Sequence, residues 1–348
     1  MKNSTIIEGE YLQDILNQPE ALEDTLASLK ETSPLNVAAS RLRNGHFTRI
    51  VLTGMGSSFY ALHPLSLQLI ECGFSTITVE TSELVHYMPG LFDQSTIILA
   101  VSQSGSGAEV LRLIEVNDHR ATIIAVTNTP DSPLAHHADV SVLIRAGRES
   151  SVSTKTYVTT LMALEWIGAT LCESKGNDVA DEMALAAPAV RSYLADWRDH
   201  VEGALAKMEG IHHLFLVGRG PSMAAVSTGA LILKESTRFH AEGISSATFR
   251  HGPFELLNED CFVLVFLGDS RTGFLNRNLA RDVEKHGGIA QLVSEEESNS
   301  AFRLPVVPLR LLPIVEILPV QMISLALAAR EGREAGRLTL ATKVTTTE

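Results

Sequence analysis

A hydroxyl-rich and glycine-rich segment follows one of the apolar, β-branched runs of this sequence. Ser102-Gln103-Ser104-Gly105-Ser106-Gly107 comes directly after Thr96–Val101. Its hydroxyls and backbone amides, together with the N-terminus of a helix expected from about Ala108, suit the oxygens of a phosphate group. A polar turn in which Ser106 caps that helix explains the same residues without a ligand. The segment alone leaves both interpretations open.

Two glycine turns repeat one arrangement. Gly54-Met55-Gly56-Ser57-Ser58 follows the run Ile50–Thr53, and Gly218-Arg219-Gly220-Pro221-Ser222 follows Leu214–Val217. A glycine pair after a strand lets the backbone turn sharply and approach a ligand. Phe59 stands where a dinucleotide fingerprint requires a third glycine, so the pattern disfavours a nicotinamide-dependent oxidoreductase without excluding it.

The second half of the chain carries the densest group of titratable residues. Glu235 falls on the apolar helical stretch 226–239, where an acid is either a surface residue or a desolvated base. His251 precedes Gly252-Pro253, a turn from which a side chain can project into a cleft. The separate segment Ser153-Thr154-Lys155-Thr156 is typical of a helix start with an exposed lysine.

Metal and disulfide chemistry is not indicated. The pairs His136-His137 and His212-His213 are adjacent, so they do not place both rings on one helical face. Cys72, Cys172 and Cys261 form no CxxC pair, which predicts neither a disulfide framework nor a zinc site. We therefore expect no metal and a reduced, cytoplasmic location.

The elements that must position these residues alternate between strands and helices, which predicts an α/β fold with parallel sheets covered on both faces. Gly220 lies 164 positions after Gly56, and the strand–helix rhythm restarts there, so we predict two copies of one unit. The expected strands are Ile50–Thr53, Thr76–Glu80, Thr96–Val101, Thr122–Thr127, Val140–Ile144, Leu214–Val217, Phe262–Leu267 and Ile289–Val293. Long helical stretches are expected at 9–43, 153–205, 221–239 and 271–286.

Charge and hydropathy exclude several classes of partner. The 348 residues carry a formal net charge of −13 and no basic cluster suited to nucleic acid or a membrane surface. The most apolar stretch, 311–329, contains Pro313, Glu316 and Pro319, which favours a buried, proline-interrupted helix over a membrane span. The N-terminus, 1–11, is polar and acidic and shows no secretory signal.

Taken together, the segments resemble the double sugar isomerase (SIS) domain family, as in the isomerase half of glucosamine-6-phosphate synthase without its glutaminase domain. They occur in family order from about Arg49 to the C-terminus. The matching segments are Gly56-Ser57-Ser58, Ser102-Gln103-Ser104-Gly105, Ser153-Thr154-Lys155, Leu233-Lys234-Glu235, His240-Ala241-Glu242, His251-Gly252-Pro253 and Lys343-Val344-Thr345.

The resemblance implies two flavodoxin-like SIS subdomains, an N-terminal helical arm and a C-terminal tail, with boundaries at 1–46, 47–180 and 195–348. It implies that Glu235 moves a proton between sugar C1 and C2, that His251 opens the ring and is supplied by the neighbouring subunit of a homodimer, and that Lys343 acts from a closing tail. Substrate or phosphate contacts are implied for Gly56, Ser57, Ser58, Ser102, Gln103, Ser104, Ser106, Ser151 and Ser153.

The sequence departs from the family pattern at three places. Gly107 replaces the usual threonine of the phosphate loop. Thr228 and Ile232 replace an acid and a lysine, which indicates a different substrate. The segment before Lys343 lacks the usual Pro-Arg-x-Leu spacing. No amidotransferase segment precedes the arm, so we expect no glutamine-dependent synthesis.

The expected function is that of a phosphosugar isomerase or an aminosugar-phosphate deaminase acting on a hexose or hexosamine 6-phosphate, without a cofactor. A ketosamine-6-phosphate deglycase is a related possibility. The alternative from another class is a non-catalytic phosphosugar sensor, which would have little need for Glu235 and Lys343.

Overall fold

The computed structural model describes residues 7–30, 33–173, 176–340, 342–345 and 347. Within those residues the chain forms two compact units, and each unit is built from three segments that are separate in sequence. The first-sheet unit comprises Glu20–Glu149, Lys155–Ala184 and Leu340–Glu348. The second-sheet unit comprises Met1–Pro19, Ser150–Thr154 and Leu185–Thr339. The boundaries at 1–46, 47–180 and 195–348 stay predictions.

The strands and helices alternate along most of the chain. The strands are β1 (Arg49–Gly54), β2 (Thr76–Glu80), β3 (Thr96–Val101), β4 (Thr122–Thr127), β5 (Val140–Leu143), β6 (His213–Gly218), β7 (Ala241–Ser245), β8 (Cys261–Phe266) and β9 (Ile289–Val293). The α-helices are α1 (Glu10–Leu16), α2 (Gln18–Leu29), α3 (Ser33–Arg43), α4 (Ser57–Tyr60), α5 (Leu62–Glu71), α6 (Thr81–Tyr87), α7 (Ala108–Asn117), α8 (Pro133–His137), α9 (Lys155–Leu171), α10 (Gly176–Met183), α11 (Ala186–Ala195), α12 (Trp197–Lys207), α13 (Met223–Thr237), α14 (Ser246–Phe249), α15 (Gly273–Lys285) and α16 (Leu312–Arg330).

The first-sheet unit is built on a five-stranded parallel sheet in the order β2-β1-β3-β4-β5. Its central strands are nearly continuous runs of buried aliphatic residues, because helices cover both faces. Val51, Ile98 and Ala125 share one core cluster with residues of α6 and α7. The order matches the flavodoxin-like arrangement, so the predicted α/β class is confirmed here.

The second-sheet unit repeats that arrangement with four parallel strands in the order β7-β6-β8-β9. The predicted duplication is therefore confirmed. Strand β7 was not predicted, because Ala241–Ser245 contains a glycine, an exposed Glu242 and only one β-branched residue. It forms because the segment pairs in register with the apolar β6.

The predicted helical stretches are present but divided. The N-terminal stretch 9–43 contains α1, α2 and α3; Glu31 and Thr32 of that stretch lie outside the described residues. The stretch 153–205 contains α9, α10, α11 and α12, with the predicted break near Gly176. The helix predicted at 221–239 is α13, preceded by a 3-10 turn at Gly220–Ser222.

Helix α16 confirms the prediction of a buried helix with internal proline. It is the one described helix that is long and apolar enough to cross a membrane, and the whole of its most apolar window is buried in the protein. Two of its polar side chains have partners from the N-terminal helices of the same unit. Gln321 and Gln18 exchange amide hydrogen bonds of 2.9 and 3.0 Å, and Tyr11 Oη lies 2.9 Å from Ser324 Oγ.

The cysteines do not follow the sequence prediction. Cys72, which follows α5, and Cys172, which follows α9, form a disulfide within the first-sheet unit, with 6.0 Å between their Cα atoms. The expectation of no disulfide is therefore wrong. It failed because the packing of α5 on α9 brings together two cysteines 100 residues apart, a separation that no spacing motif records. Cys261 is buried and unpaired.

Candidate functional site

The glycine turn after β1 and the hydroxyl loop after β3 lie side by side in the first-sheet unit. Gly54 pairs with Val101 in the parallel register, so the two segments leave neighbouring strand ends. The chain departs in opposite directions from β1 and β3, and such a switch point is where open α/β sheets bind ligands. Gly56 has a φ of +53°, which brings the partly exposed Ser57 and Ser58 to the start of α4.

Internal hydrogen bonds fix the loop 102–107. Ser102 Oγ accepts from the Gly105 amide at 3.1 Å, and Ser104 Oγ accepts from the Ser106 amide at 3.3 Å. The Gln103 carbonyl accepts from the Asn128 amide at 3.0 Å, which ties the loop to the segment after β4. The side chains of this loop are partly exposed, so its hydroxyls lie on a rigid support and within reach of a ligand.

Gly105 is the residue that permits this loop. It has a φ of +62°, and a Cβ at this position would collide with the Ser132 side chain. Only glycine combines that conformation with so close an approach. The sequence therefore places glycine here for a backbone reason.

The N-terminus of α7 is not capped by Ser106, contrary to the plain-turn interpretation. Gly107 occupies the N-cap position and offers no side-chain hydrogen bond. The Ala108 amide instead donates to the carbonyl of Thr345, at 3.1 Å. The C-terminal tail thus contacts the helix that follows the hydroxyl loop.

The same tail places Lys343 on an acid of the first-sheet unit. Lys343 Nζ lies 2.5 Å from Glu149 Oε2, and the Glu149 side chain is fully buried. Glu149 also accepts from the Thr156 amide at 3.0 Å and from Thr156 Oγ1 at 2.5 Å. It therefore joins the start of α9, after β5, to the tail lysine.

Glu149 is a residue that the sequence analysis missed. It lies seven positions before Thr156 and belongs to no recognised spacing pattern. The segment that was noted, 153–156, does contain the predicted helix start, because α9 begins at Lys155, but the expectation that this lysine is exposed is wrong, since Lys155 is buried. The only available signal was an acid preceding a Ser/Thr-rich helix start, where a carboxylate is stabilised by free amides.

The other predicted catalytic residues belong to the second-sheet unit. Glu235 lies near the C-terminal end of α13 and is partly exposed. His251 is exposed, in the turn between α14 and the 3-10 helix Pro253–Leu256. Ser151 and Ser153, which were predicted as phosphate contacts and not as catalytic residues, also belong to this unit and are partly exposed ahead of α9. Ser58, Ser102 and Lys343 lie in the first-sheet unit.

Two departures from the family pattern fall inside the packed face of α13. Thr228 and Ile232 are both fully buried, and α13 packs there against α16 and β7. Among the described residues, Thr228 Oγ1 has no hydrogen-bond partner. The neutral side chains at these positions therefore belong to the interior of their own unit.

No group of three or more histidine, cysteine, aspartate or glutamate side chains arranged to hold a metal ion occurs within the described ranges. At the carboxyl ends of β1 and β3 the first-sheet unit presents a rigid set of hydroxyls and amides, and the tail that carries Lys343 contacts the start of α7 directly after them. Such a set can bind an anionic group and hold one cation near it.

Comparison with known proteins identifies the fold. The chain is 26% identical over 348 residues to a glutamine–fructose-6-phosphate aminotransferase [isomerizing] from Pyrobaculum aerophilum, an alignment that covers 97% of this chain and 57% of that protein. The chain thus spans about half the length of the curated relatives it matches.

Solved structures agree at the level of the fold. The C-terminal domain of glucosamine-fructose-6-phosphate aminotransferase from Francisella tularensis superposes with a TM-score of 0.84 at 21% identity, covering 95% of this chain and 98% of that one. Tagatose-6-phosphate ketose/aldose isomerase from Escherichia coli superposes with a TM-score of 0.80 at 18% identity, covering 95% of this chain and 96% of that one. Glucosamine-6-phosphate deaminase from Thermotoga maritima superposes with a TM-score of 0.78 at 17% identity, covering 97% of this chain and 100% of that one.

The family itself is established by sequence. The SIS domain pattern matches residues 43–168 and again residues 207–330, which together make up most of the chain and contain the two sheets. With two matched segments and two sheets of the same strand order, the chain belongs to the SIS domain family, as a double-domain member.

Proposed function

We propose that this protein is a phosphosugar isomerase or an aminosugar-phosphate deaminase, acting on a hexose or hexosamine 6-phosphate by proton transfer between C1 and C2. The observation that carries the proposal is the tail contact: Lys343 is fixed by Glu149, and Thr345 is fixed on α7, directly after the hydroxyl loop. A pure phosphate-binding module would have little need for the partly exposed carboxylate of Glu235 in addition to this ammonium group. The named relatives and structural neighbours support the same class.

Phosphate binding is assigned to the first-sheet unit. Ser102, Ser104 and Ser106 supply hydroxyls from the loop after β3, and Gln103 supplies an amide. Ser57 and Ser58, with Gly56, add the neighbouring turn. Ser151 and Ser153 belong to the second-sheet unit and stay predicted contacts. Hydroxyls and backbone amides hold a phosphate without bulk positive charge, so the net charge of −13 does not oppose binding.

The chemistry assigns one role to each titratable group. His251 moves a proton between the ring oxygen and the anomeric hydroxyl when the ring opens. Glu235 takes the proton from C2 of the open aldose and returns it to C1, which converts the aldose to the ketose. Lys343 stabilises the carbonyl oxygen or forms a Schiff base with the keto sugar. With a hexosamine, the same shift gives a C2 imine, which water hydrolyses to a ketose and ammonia.

The decisive experiment follows sugar-bound hydrogen. We would incubate a panel of hexose and hexosamine 6-phosphates with the protein in D2O and record deuterium at C1 and C2 by NMR. Exchange in wild type that disappears in Glu235→Gln, while ligand-induced thermal stabilisation persists, supports the proposal. Stabilisation without exchange in wild type would instead identify a sensor. Release of an amine from a ketosamine 6-phosphate would identify a deglycase.

We further propose a homodimer in which His251 acts in the site of its partner. Mixing two inactive variants, Glu235→Gln and His251→Ala, tests this. Half of the randomly reassorted dimers are mixed, and each mixed dimer regains one complete site, so activity returns to about a quarter of wild type. If both residues act in the same subunit, no mixed dimer regains a site.

A cytoplasmic location stays a prediction, and a reducing cytoplasm would keep Cys72 and Cys172 as thiols.

A further inference from the structure

The second-sheet unit contains a cavity at the position that corresponds, in its own sheet, to the hydroxyl loop of the first-sheet unit. The segment 267–270 follows β8, as 102–105 follows β3. A cavity of about 230 Å3 opens beside it. Its lining combines carboxyl groups, among them those of Asp269 and Glu316, with aliphatic side chains, among them those of Leu304 and Leu312. A cavity of this size holds several waters or a small organic molecule.

Glu316 supplies a buried polar group with unused bonding capacity. It is fully buried on α16, and one carboxyl oxygen accepts from Ser222 Oγ at 2.7 Å. Its other oxygen, Oε2, has no hydrogen-bond partner among the described residues. An unsatisfied buried polar atom is destabilising, so such a group in a native fold points to a partner that the protein chain does not provide.

Burial also sets the charge of this group. Removal from water, together with the nearby Asp269, raises the pKa of Glu316 to about 8, and the Ser222 hydrogen bond lowers it only in part. Glu316 is therefore mostly protonated at neutral pH. A cation bound beside it would favour the ionised form and displace its proton.

The remaining charges of the cavity are acidic. The Asp269 side chain is only 7% exposed and contacts the exposed Arg271 at 2.8 Å. Glu296, at the rim, pairs with Arg277 at 2.6 Å, and Glu295 beside it is exposed. No lysine or arginine occurs among the described residues that line the cavity. A phosphate would meet no cationic side chain in this lining, whereas an ammonium group would meet carboxyl oxygens.

The cation is organic and not metallic. The carboxylates here do not form a group arranged to hold a metal ion, within the part of the chain that the structure describes. Leu304, Val307 and Leu312 form an aliphatic wall, and the side chain of Leu309 stands at the mouth with 52% of its surface exposed. An ammonium head with a short hydrocarbon body matches both halves of the lining.

We propose that this cavity binds a small aliphatic primary amine, whose ammonium group donates to Asp269 and to the free oxygen of Glu316 while its hydrocarbon body packs on Leu304 and Leu312. The site is separate from the residues assigned to phosphosugar chemistry and does not depend on that assignment.

Calorimetry with n-butylammonium chloride tests the site on the full-length protein. We expect saturable binding at pH 7, absent with butan-1-ol and with potassium chloride at the same concentration. Titration in phosphate and in HEPES, which differ in ionisation enthalpy, should reveal net proton release from Glu316. Binding that is no stronger than that of butan-1-ol, or no saturable heat at all, would overturn the proposal.

Variants locate the amine. Asp269→Asn and Glu316→Gln should each weaken binding at least tenfold, and Glu316→Gln should abolish the proton release. Glu284→Gln is the matched control, because Glu284 is exposed on α15 and does not line the cavity; it should bind within twofold of wild type. If Glu316→Gln fails to fold, Asp269→Asn decides alone. Equal affinities in Asp269→Asn and Glu284→Gln would refute the assignment.

Discussion

Replacing Glu149 by glutamine isolates the contact that holds the C-terminal tail. Glutamine keeps an acceptor oxygen for the Thr156 amide but removes the charge that faces Lys343. A charge-assisted hydrogen bond contributes about 1.5–3 kcal/mol. Screening by water is small on the Glu149 side, where the side chain is fully buried, whereas Lys343 keeps 25% of its side-chain surface exposed. The undocked population of the tail should therefore rise by about 10- to 150-fold in Glu149→Gln.

Limited digestion with trypsin measures that population without any assumption about substrate. Trypsin cleaves after Lys343 and releases the last five residues, a loss that mass spectrometry detects directly. When the tail recloses faster than trypsin cleaves, the cleavage rate tracks the undocked fraction. Glu115→Gln is the matched control, because it removes the same charge from an exposed pair with Arg112.

The result that would refute this reasoning is equal cleavage after Lys343 in wild type and in Glu149→Gln. It would mean that the backbone contact from Ala108 to Thr345 holds the tail alone. If phosphosugar turnover is found, Glu149→Gln and Lys343→Gln should each reduce it, and the double variant should lose no more than Lys343→Gln, because both changes remove one interaction.

Three further predictions concern other parts of the chain. Gly107→Thr should tighten phosphosugar binding by about 2- to 10-fold, which is the effect of one neutral hydrogen bond. The side chain has room, since a Cβ at this position meets nothing closer than 3.6 Å. An unchanged Kd would show that the hydroxyl does not reach the ligand. Cys72→Ser should lower stability by up to about 4 kcal/mol, since the disulfide closes a long loop; calorimetry of reduced wild type is the control, and equal Tm values for oxidised and reduced protein would contradict it. The free energy of unfolding of wild type should fall by roughly 1 kcal/mol per pH unit between pH 4.5 and about 8. Glu316 causes this fall, because the folded state retains a proton on this residue that the unfolded chain releases. Urea unfolding across that range should show this slope, and Glu316→Gln should lack it even though Asp269, Glu295 and Glu296 remain.

Strands were predictable where local composition and tertiary environment agree. Thr76–Glu80, Thr96–Val101, Thr122–Thr127 and Ile289–Val293 have the predicted ends, because β-branched runs bounded by polar residues suit a covered parallel sheet. Strand β7 was not predicted because its pairing with β6, and not its own composition, makes it a strand. The disulfide and the role of Glu149 were not predicted for a related reason, since both depend on contacts between segments distant in sequence.

The candidate site was predictable only in part. The hydroxyl loop and the glycine turn can be recognised as local sequence motifs, and the parallel strand order then places them on neighbouring strand ends. Lys343 carries no local signal, since an isolated lysine near a terminus is ordinary. Its assignment rested on resemblance, and the structure adds the physical reason for its position, a buried carboxylate that also holds the start of α9.

The two copies of the fold have diverged in the residues that decide which charge each can bind. Where β3 is followed by Ser102-Gln103-Ser104, β8 is followed by Leu267-Gly268-Asp269, so an acid stands where the first copy has a hydroxyl. Asp269 and the buried Glu316 offer carboxyl oxygens to a hydrogen-bond donor, whereas the first loop, held by its own hydrogen bonds, offers amides and hydroxyls to an anion. If the first loop binds the phosphate as proposed, the second loop is therefore not its equivalent. Substituting Asp269 by serine alone should not create one, because Glu316 would remain beneath it and the second loop lacks the remaining hydroxyls.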